Sequence, residues 1–210
     1  MENAIQIILA IIVLVFSVII HEVAHGYAAL SLGDHTAEHA GRLTLNPVPH
    51  IDPFGSILIP GMLAFFGLPV IGWARPVPYN PYNLRNQKWG PTIVGLAGPV
   101  ANIALAVSFG IIIRIAFAAG FVGEASVPFL SIAALIVGLN LSLAVFNLMP
   151  IPPLDGSKVL FALIPYQYRG IQYFLERYGI ILIFLLIPII SSVVSPLIRI
   201  LFRLLVGGAL

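Results

Sequence analysis

The sequence predicts an all-α polytopic membrane protein, with about four to five membrane-embedded helices and a small β-hairpin-like or re-entrant insert after the first. Three observations carry this expectation. Hydrophobic residues make up 60% of the chain and charged residues only 9%, with a mean hydropathy of +1.05, a balance suited to a chain whose solvent is a bilayer. Apolar stretches recur at residues 4–32, 92–119, 127–149 and 179–205, each long enough to cross a hydrocarbon core of ~30 Å. Between the first two lies a polar, proline-punctuated region that reads as neither a span nor a flexible linker. The net charge of +2 rests on only 10 basic residues, without a basic cluster, so no nucleic-acid partner is expected. Cysteine is absent, which excludes a disulfide framework and a thiolate metal site.

Taken in order, residues 4–32 would extend about 43 Å as a helix. Met1-Glu2-Asn3 supplies no basic n-region, and no small-residue cleavage site follows, so a retained span is expected here. Gly33 is the natural stop. Residues 34–56 are the most polar of the chain; Arg42-Leu43-Thr44-Leu45 alternates like a short strand and is halted by Asn46-Pro47. Residues 57–72 are apolar but broken by Pro60, Gly61, Gly67 and Pro69, which suits a re-entrant or tilted segment better than a full span. The prolines of Trp73-Ala74-Arg75-Pro76-Val77-Pro78-Tyr79 favour extended backbone, so a hairpin-like pairing with the Leu43 stretch is expected around residues 42–79. Two spans follow, at 92–119 and 127–149, then an amphipathic helix or helix pair at 157–178 and a last apolar stretch holding Pro188 and Pro196. No internal repeat or low-complexity linker is present. One membrane-embedded domain over residues 1–210 is therefore expected, with a core at about 4–160 and the amphipathic region and last span at 161–210.

The chemistry concentrates at His21-Glu22-Val23-Ala24-His25, an H-E-x-x-H motif inside the first apolar stretch. Residues four apart on a helix lie about 40° from one another, so both imidazoles face one side. They offer two neutral nitrogen ligands for a zinc ion, with Glu22 beside it as a general base. Three ionisable side chains this close together are costly in lipid, and function is their default explanation. Zinc is inferred from ligand type, one ion per chain. A catalytic site needs a third protein ligand. Glu2, Asp34, Glu38, Asp52, Glu124 and Glu176 are acidic candidates; Asp155 stands out because it follows a span directly, in a loop stiffened by Pro150, Pro152 and Pro153 and released at Gly156.

The H-E-x-x-H motif in an apolar helix, followed by Asn147-x-x-Pro150-x-x-Pro153-Leu154-Asp155-Gly156 after a later span, resembles the site-2 protease family of intramembrane zinc proteases. Gly98-Pro99-Val100-Ala101-Asn102 and the insert between the metal-bearing segments are similar to that family too, and the resemblance covers roughly residues 4–160. It implies that His21, His25 and Asp155 bind zinc, that Glu22 is the catalytic base, and that Asn147 contacts the substrate or transition state. The implied activity is hydrolysis of a peptide bond in or near a transmembrane helix of a substrate protein, as in regulated intramembrane proteolysis. Asn102, Pro153, Leu43 and Val77 are candidate substrate contacts, the last two as edges to which an unwound substrate could add. The chain has no room for the PDZ or CBS domains of larger members. A homo-oligomer or a regulatory membrane partner is compatible with that compact form.

Arg42, Arg75, Arg85 and Lys88, with Lys158, Arg169 and Arg177, put the polar stretches around 33–56, 73–90 and 150–178 on the cytoplasmic side. The expected location is the plasma membrane of a prokaryote, with the active site toward the cytoplasm. His35-Thr36-Ala37-Glu38-His39 matches the inverted zinc-peptidase arrangement, but it lies between Gly33 and Gly41 without a sustained helical pattern. It is read as a solvated loop, with a second metal site sharing His50 or Asp52 as the alternative. The competing function is a non-proteolytic membrane protein that binds or transports metal; such a protein would spread its ligands over several spans.

Overall fold

The computed structural model describes residues 2–66, 72–121 and 123–207. Among them the helices are α1 (Glu2–Ser31), α2 (Thr36–His39), α3 (Ile59–Phe65), α4 (Gly90–Ala118), α5 (Val127–Asn147), α6 (Gly156–Leu163) and α7 (Arg169–Val206). Three apolar helical segments are long enough to cross a membrane, Ala4–Ser31, Gly90–Ala118 and Glu124–Asn147, of 28, 29 and 24 residues. The expected all-α architecture and the first three spans are therefore present. Beyond them, α7 runs for 38 residues, joining the second half of the expected amphipathic region to the final apolar stretch and continuing past Pro188 and Pro196.

α1 ends where Gly33 adopts φ +100°, a conformation that a Cβ would oppose. Its N-terminal half leaves Ile5, Ile7, Ile8 and Ile11 exposed, as suits a helix whose surroundings are lipid. α4 is the central helix: α1, α5, α6 and α7 all pack against it. Ala106 and Ile113 of α4, Leu130, Ala133, Val137 and Leu141 of α5, and Val206 of α7 form the main apolar core. One polar bond crosses between the first and third spans, where Asn140 Nδ2 donates to Ser17 Oγ at 2.9 Å. Arg114 is paired: its guanidinium donates to the carbonyls of Leu204 and Leu205 at the end of α7, which also satisfies two orphaned helix-terminal acceptors.

The insert departs from expectation. No strand occurs among the described residues, so the hairpin-like sheet around 42–79 is not formed. Residues 43–45 bend, and the segment 72–80 is irregular. Isolated contacts replace a ladder: Trp73 N–H donates to Gly55 O at 3.0 Å and Arg75 N–H to His50 O at 2.9 Å, while the buried Arg42 guanidinium reaches the carbonyls of Arg75 and Pro76 at 2.6 and 3.2 Å. Proline explains the difference, because Pro76 and Pro78 on one side and Pro47, Pro49 and Pro53 on the other remove donors that a ladder needs. Ahead of α3, Pro53–Leu58 forms a π-helical turn. The two cover only part of the stretch expected to be re-entrant, and residues 67–71 of it lie outside the described residues. The H-x-x-E-H stretch, expected as loop, forms the single turn of α2.

Asp34 ties the insert to the end of α1. It is fully buried and accepts hydrogen bonds from Thr36 Oγ1 at 2.5 Å, Asn80 N–H at 2.7 Å and Asn83 Nδ2 at 2.9 Å. Burial alone would raise its pKa, but these donors outweigh it and hold the carboxyl below its ordinary value of 3.8. Its stabilising contribution is therefore complete above that value and is lost as pH falls through it toward the lower folded value. Replacing Asp34 with Ala is expected to cost about 2 kcal/mol of stability at neutral pH. Thermal unfolding in detergent should also show a shallower loss of stability below about pH 4 in the variant than in the wild type.

Candidate metal centre and active site

α1 carries His21 and His25 one turn apart, both buried at 6% and 7% exposure. Their rings meet edge to face, with centroids 4.6 Å apart. The third element is the turn after α5, which folds back so tightly that Gly156 lies against the carbonyl of Leu148. This delivers Asp155, at the head of α6, to the same point. Asp155 Oδ2 lies 3.1 Å from His21 Nε2 and 3.2 Å from His25 Nε2, across 134 residues of sequence in the first case.

The surroundings orient each donor. His25 Nδ1 lies 2.6 Å from the carbonyl of Val94. A carbonyl only accepts, so Nδ1 carries the proton and the Nε2 of the neutral imidazole presents a lone pair. Lys158 Nζ holds the other Asp155 oxygen, Oδ1, at 2.7 Å. Burial penalises the Asp155 carboxylate, but its contacts with the His21 and His25 imidazoles and the charge of Lys158 outweigh this and hold its pKa below the ordinary range. On the facing helix, a Cβ on Gly98 would stand 2.6 Å from the Nε2 of both histidines; only glycine leaves that space open.

These residues fit a zinc ion. The His25 lone pair and a carboxylate oxygen facing each other at 3.2 Å repel unless a cation lies between them or the ring is protonated. Ligands ~2.0–2.1 Å from a tetrahedral ion stand about 3.3–3.4 Å apart, close to the observed spacings. The set of two imidazoles and one carboxylate suits zinc. Glu22 offers a carboxylate oxygen within 4.8 Å of a ring nitrogen of each histidine. Its Oε2 accepts the backbone N–H of Val77 at 2.7 Å.

The other expected site residues are distributed as follows. Leu43 and Val77, though not paired in a sheet, both pack on Gly26, the residue after His25. Asn102 is fully buried with neither amide atom hydrogen-bonded, one helical turn beyond Gly98. Asn147 Nδ2 donates to Leu143 O at 2.9 Å within its own helix. Pro153 lines a groove of about 1090 Å³ shared with Tyr79, Lys88, Pro152, Lys158 and Arg169. Lys158 counts in the sequence as a charge of the amphipathic, cytoplasmic-side region and not as a site residue; its place three residues after Asp155 is the signal for an i, i+3 contact. The Val94 carbonyl and the Val77 amide leave no trace in side-chain identity.

A buried H-E-x-x-H helix within three apolar spanning segments defines an integral-membrane metallopeptidase. Residues 110–186 match the model of peptidase family M50. "Putative zinc metalloprotease YwhC" of Bacillus subtilis is 38% identical over 193 residues, covering 90% of this chain and 85% of the relative. "Putative zinc metalloprotease Rip2" of Mycolicibacterium smegmatis is 35% identical over 146 residues, 69% of this chain and 52% of that one. A relative of similar description from Methanocaldococcus jannaschii, MJ0611, is 43% identical over 67 residues, covering 32% of this chain and 31% of its own length. No solved structure matches. The chain belongs to peptidase family M50, the site-2 protease family of zinc metalloproteases.

Two substitutions test the geometry by metal content. Gly98→Ala should lower zinc affinity by ~10-fold or more while circular dichroism stays helical, because the added methyl displaces both imidazoles. Lys158→Met, which keeps the stem and removes the charge on Asp155 Oδ1, should weaken zinc binding by about 10–100-fold, measured by competition with a chelator.

Proposed function

We propose that this chain is an intramembrane protease, hydrolysing a peptide bond in or near a transmembrane helix of a substrate protein, close to the cytoplasmic side of a prokaryotic plasma membrane. One Zn2+ per chain is held by His21, His25 and Asp155, and Glu22 is the general base. What carries this is the meeting of Asp155 Oδ2 with both Nε2 atoms of the H-E-x-x-H pair, at 3.1 and 3.2 Å, next to a carboxylate that is no part of that contact.

Zinc at this site supplies Lewis acidity toward a water molecule and the scissile carbonyl. Glu22 takes the proton of the attacking water on Oε1, since Oε2 is engaged by Val77 N–H, and hands it to the departing amide nitrogen. The Val94 carbonyl keeps His25 in the tautomer that directs Nε2 inward, and Lys158 keeps Asp155 Oδ2 turned to the same point. Asn147 serves the developing oxyanion as a donor through the Nδ2 hydrogen that is not given to the Leu143 carbonyl. Leu43 and Val77 supply an apolar contact beside the base, Pro153 borders the groove next to Asp155, and Asn102 lies one helical turn beyond Gly98 on the same side of α4.

The cytoplasmic orientation rests on the Lys and Arg of the polar segments, and the prokaryotic setting on the bacterial and archaeal relatives. The packing of α1, α5, α6 and α7 on α4 supports a single membrane-embedded domain over residues 1–210.

Glu22→Gln separates binding from chemistry. The variant should retain one zinc per chain and cleave a single-span reporter in detergent at least ~100-fold more slowly than wild type. Wild type that holds zinc but cleaves none of a varied panel of spans would instead favour a metal carrier or binding protein.

A further inference from the structure

His35, Glu38 and His39 are not used by the buried site. α2 is a single turn, so positions 35, 38 and 39 stand on one side of it. His35 Nδ1 lies 2.7 Å from Glu38 Oε2. The rings of His35 and His39 stack with centroids 5.9 Å apart and planes at 23°. One ligand atom of each of the three residues lies within 4.8 Å of the other two, and all three residues are exposed. The opposite side of the turn is fixed: Ala37 is fully buried and faces Gly26 of α1. The two residues considered as further ligands are committed elsewhere. His50 is buried with Nε2 on the carbonyl of Thr44 at 2.9 Å, and Asp52 caps the next turn through Phe54 and Gly55 N–H.

The His35–Glu38 contact does not by itself account for His39, whose ring stacks on that of His35. A divalent ion accommodates all three, because both rings then remain neutral and the carboxylate supplies the charge. We propose that His35, Glu38 and His39 form a second, surface metal site for Zn2+ or a similar imidazole-preferring divalent ion, and that its occupancy rigidifies α2. Two imidazoles and one carboxylate are a poor set for Mg2+ or Ca2+, which want oxygen. Three exposed ligands with water completing the shell make this site weaker than the buried one.

The expected consequence is local. A single turn is far below the length at which a helix holds itself, so an ion bridging its residues stabilises it by binding only the folded turn. The turn's neighbour Asp34 holds Asn80 N–H and Asn83 Nδ2. The segment that leads to Asn80 carries the Val77 N–H that rests on Glu22. A stiffened α2 thus braces the backbone beside the buried motif, whatever reaction that motif performs.

The test uses the full chain in detergent, dialysed against graded Zn2+, with zinc per chain and amide exchange as readouts. Wild type should take up a second, weaker equivalent that His39→Ala and His35→Ala both lack, while each variant keeps the tight equivalent. Amides of residues 36–42 should exchange more slowly as the second equivalent binds in wild type but not in the variants, and Mg2+ should not substitute. Saturation of wild type at one equivalent, or a second equivalent that persists in both variants, overturns the site. Full second occupancy without any slowing of exchange overturns the rigidification. Failure of the buried-site assignment would appear separately, as a tight equivalent that survives His21→Ala.

Discussion

Ionisable side chains embedded among apolar helices must find one another or remain unsatisfied where no water compensates them. In this protein two imidazoles on α1 and a carboxylate from beyond α5 find one another through a single oxygen, Asp155 Oδ2, at 3.1 and 3.2 Å. Much of the local architecture follows from holding that meeting. α4 must approach α1 closely enough for Gly98 to face the rings, with no Cβ between. The chain after α5 must turn within a few residues so that Asp155 reaches back to α1. Lys158, in the first turn of α6, then occupies the carboxylate's second oxygen, so that neither oxygen faces the apolar interior alone.

The same requirement shapes the insert. Glu22 shares the α1 turn with the histidines but is not drawn into the contact with Asp155; it takes the backbone N–H of Val77 instead. That bond is available because the 72–80 segment is irregular. In a regular ladder the Val77 amide would belong to a neighbouring strand. The prolines that prevent a sheet therefore release a backbone donor for the one carboxylate beside the proposed metal ligands. Asp34 and Arg42 secure the segment from the other side, Asp34 by accepting from Asn80 and Asn83, Arg42 by donating to the carbonyls of Arg75 and Pro76. Two buried ions of opposite sign thus do by side chain what a hairpin would do by main chain.

The legible part of this fold is the part written in hydrophobicity and in residue type. The three spans were evident because 24 to 29 apolar helical residues have few alternatives in a chain of this composition. The H-E-x-x-H register alone puts both histidines on one face of a helix. Asp155 stood out among the acids by its position after a span. The insert is poorly legible because the alternation of Arg42-Leu43-Thr44-Leu45 carries a strand period, while the prolines that defeat pairing are spread over two separate segments, from Pro47 to Pro78. The second half of the amphipathic region and the last apolar stretch looked like separate elements; their continuity as α7 depends on the absence of a turn, which composition reports poorly. Val94 and Val77 act through main-chain atoms, and no side-chain pattern encodes them.

Two groups of the same residue types lie fourteen positions apart, His-Glu-x-x-His on α1 and His-x-x-Glu-His at α2 and its N-cap, and burial sets them in different surroundings. At the first, the glutamate follows the first histidine directly and stays apart from the Asp155 contact, while both rings are buried and one is fixed by a carbonyl. At the second, the glutamate sits three residues from the first histidine and bonds it directly, with all three groups in solvent. The exposed glutamate bonds an imidazole of its own motif, whereas the buried one bonds a backbone amide and leaves both imidazoles to Asp155. The motif strings alone would rank both as peptidase signatures. Position in an apolar helix, with Asp155 delivered from a distant loop to both rings, is what separates the buried arrangement from the exposed one.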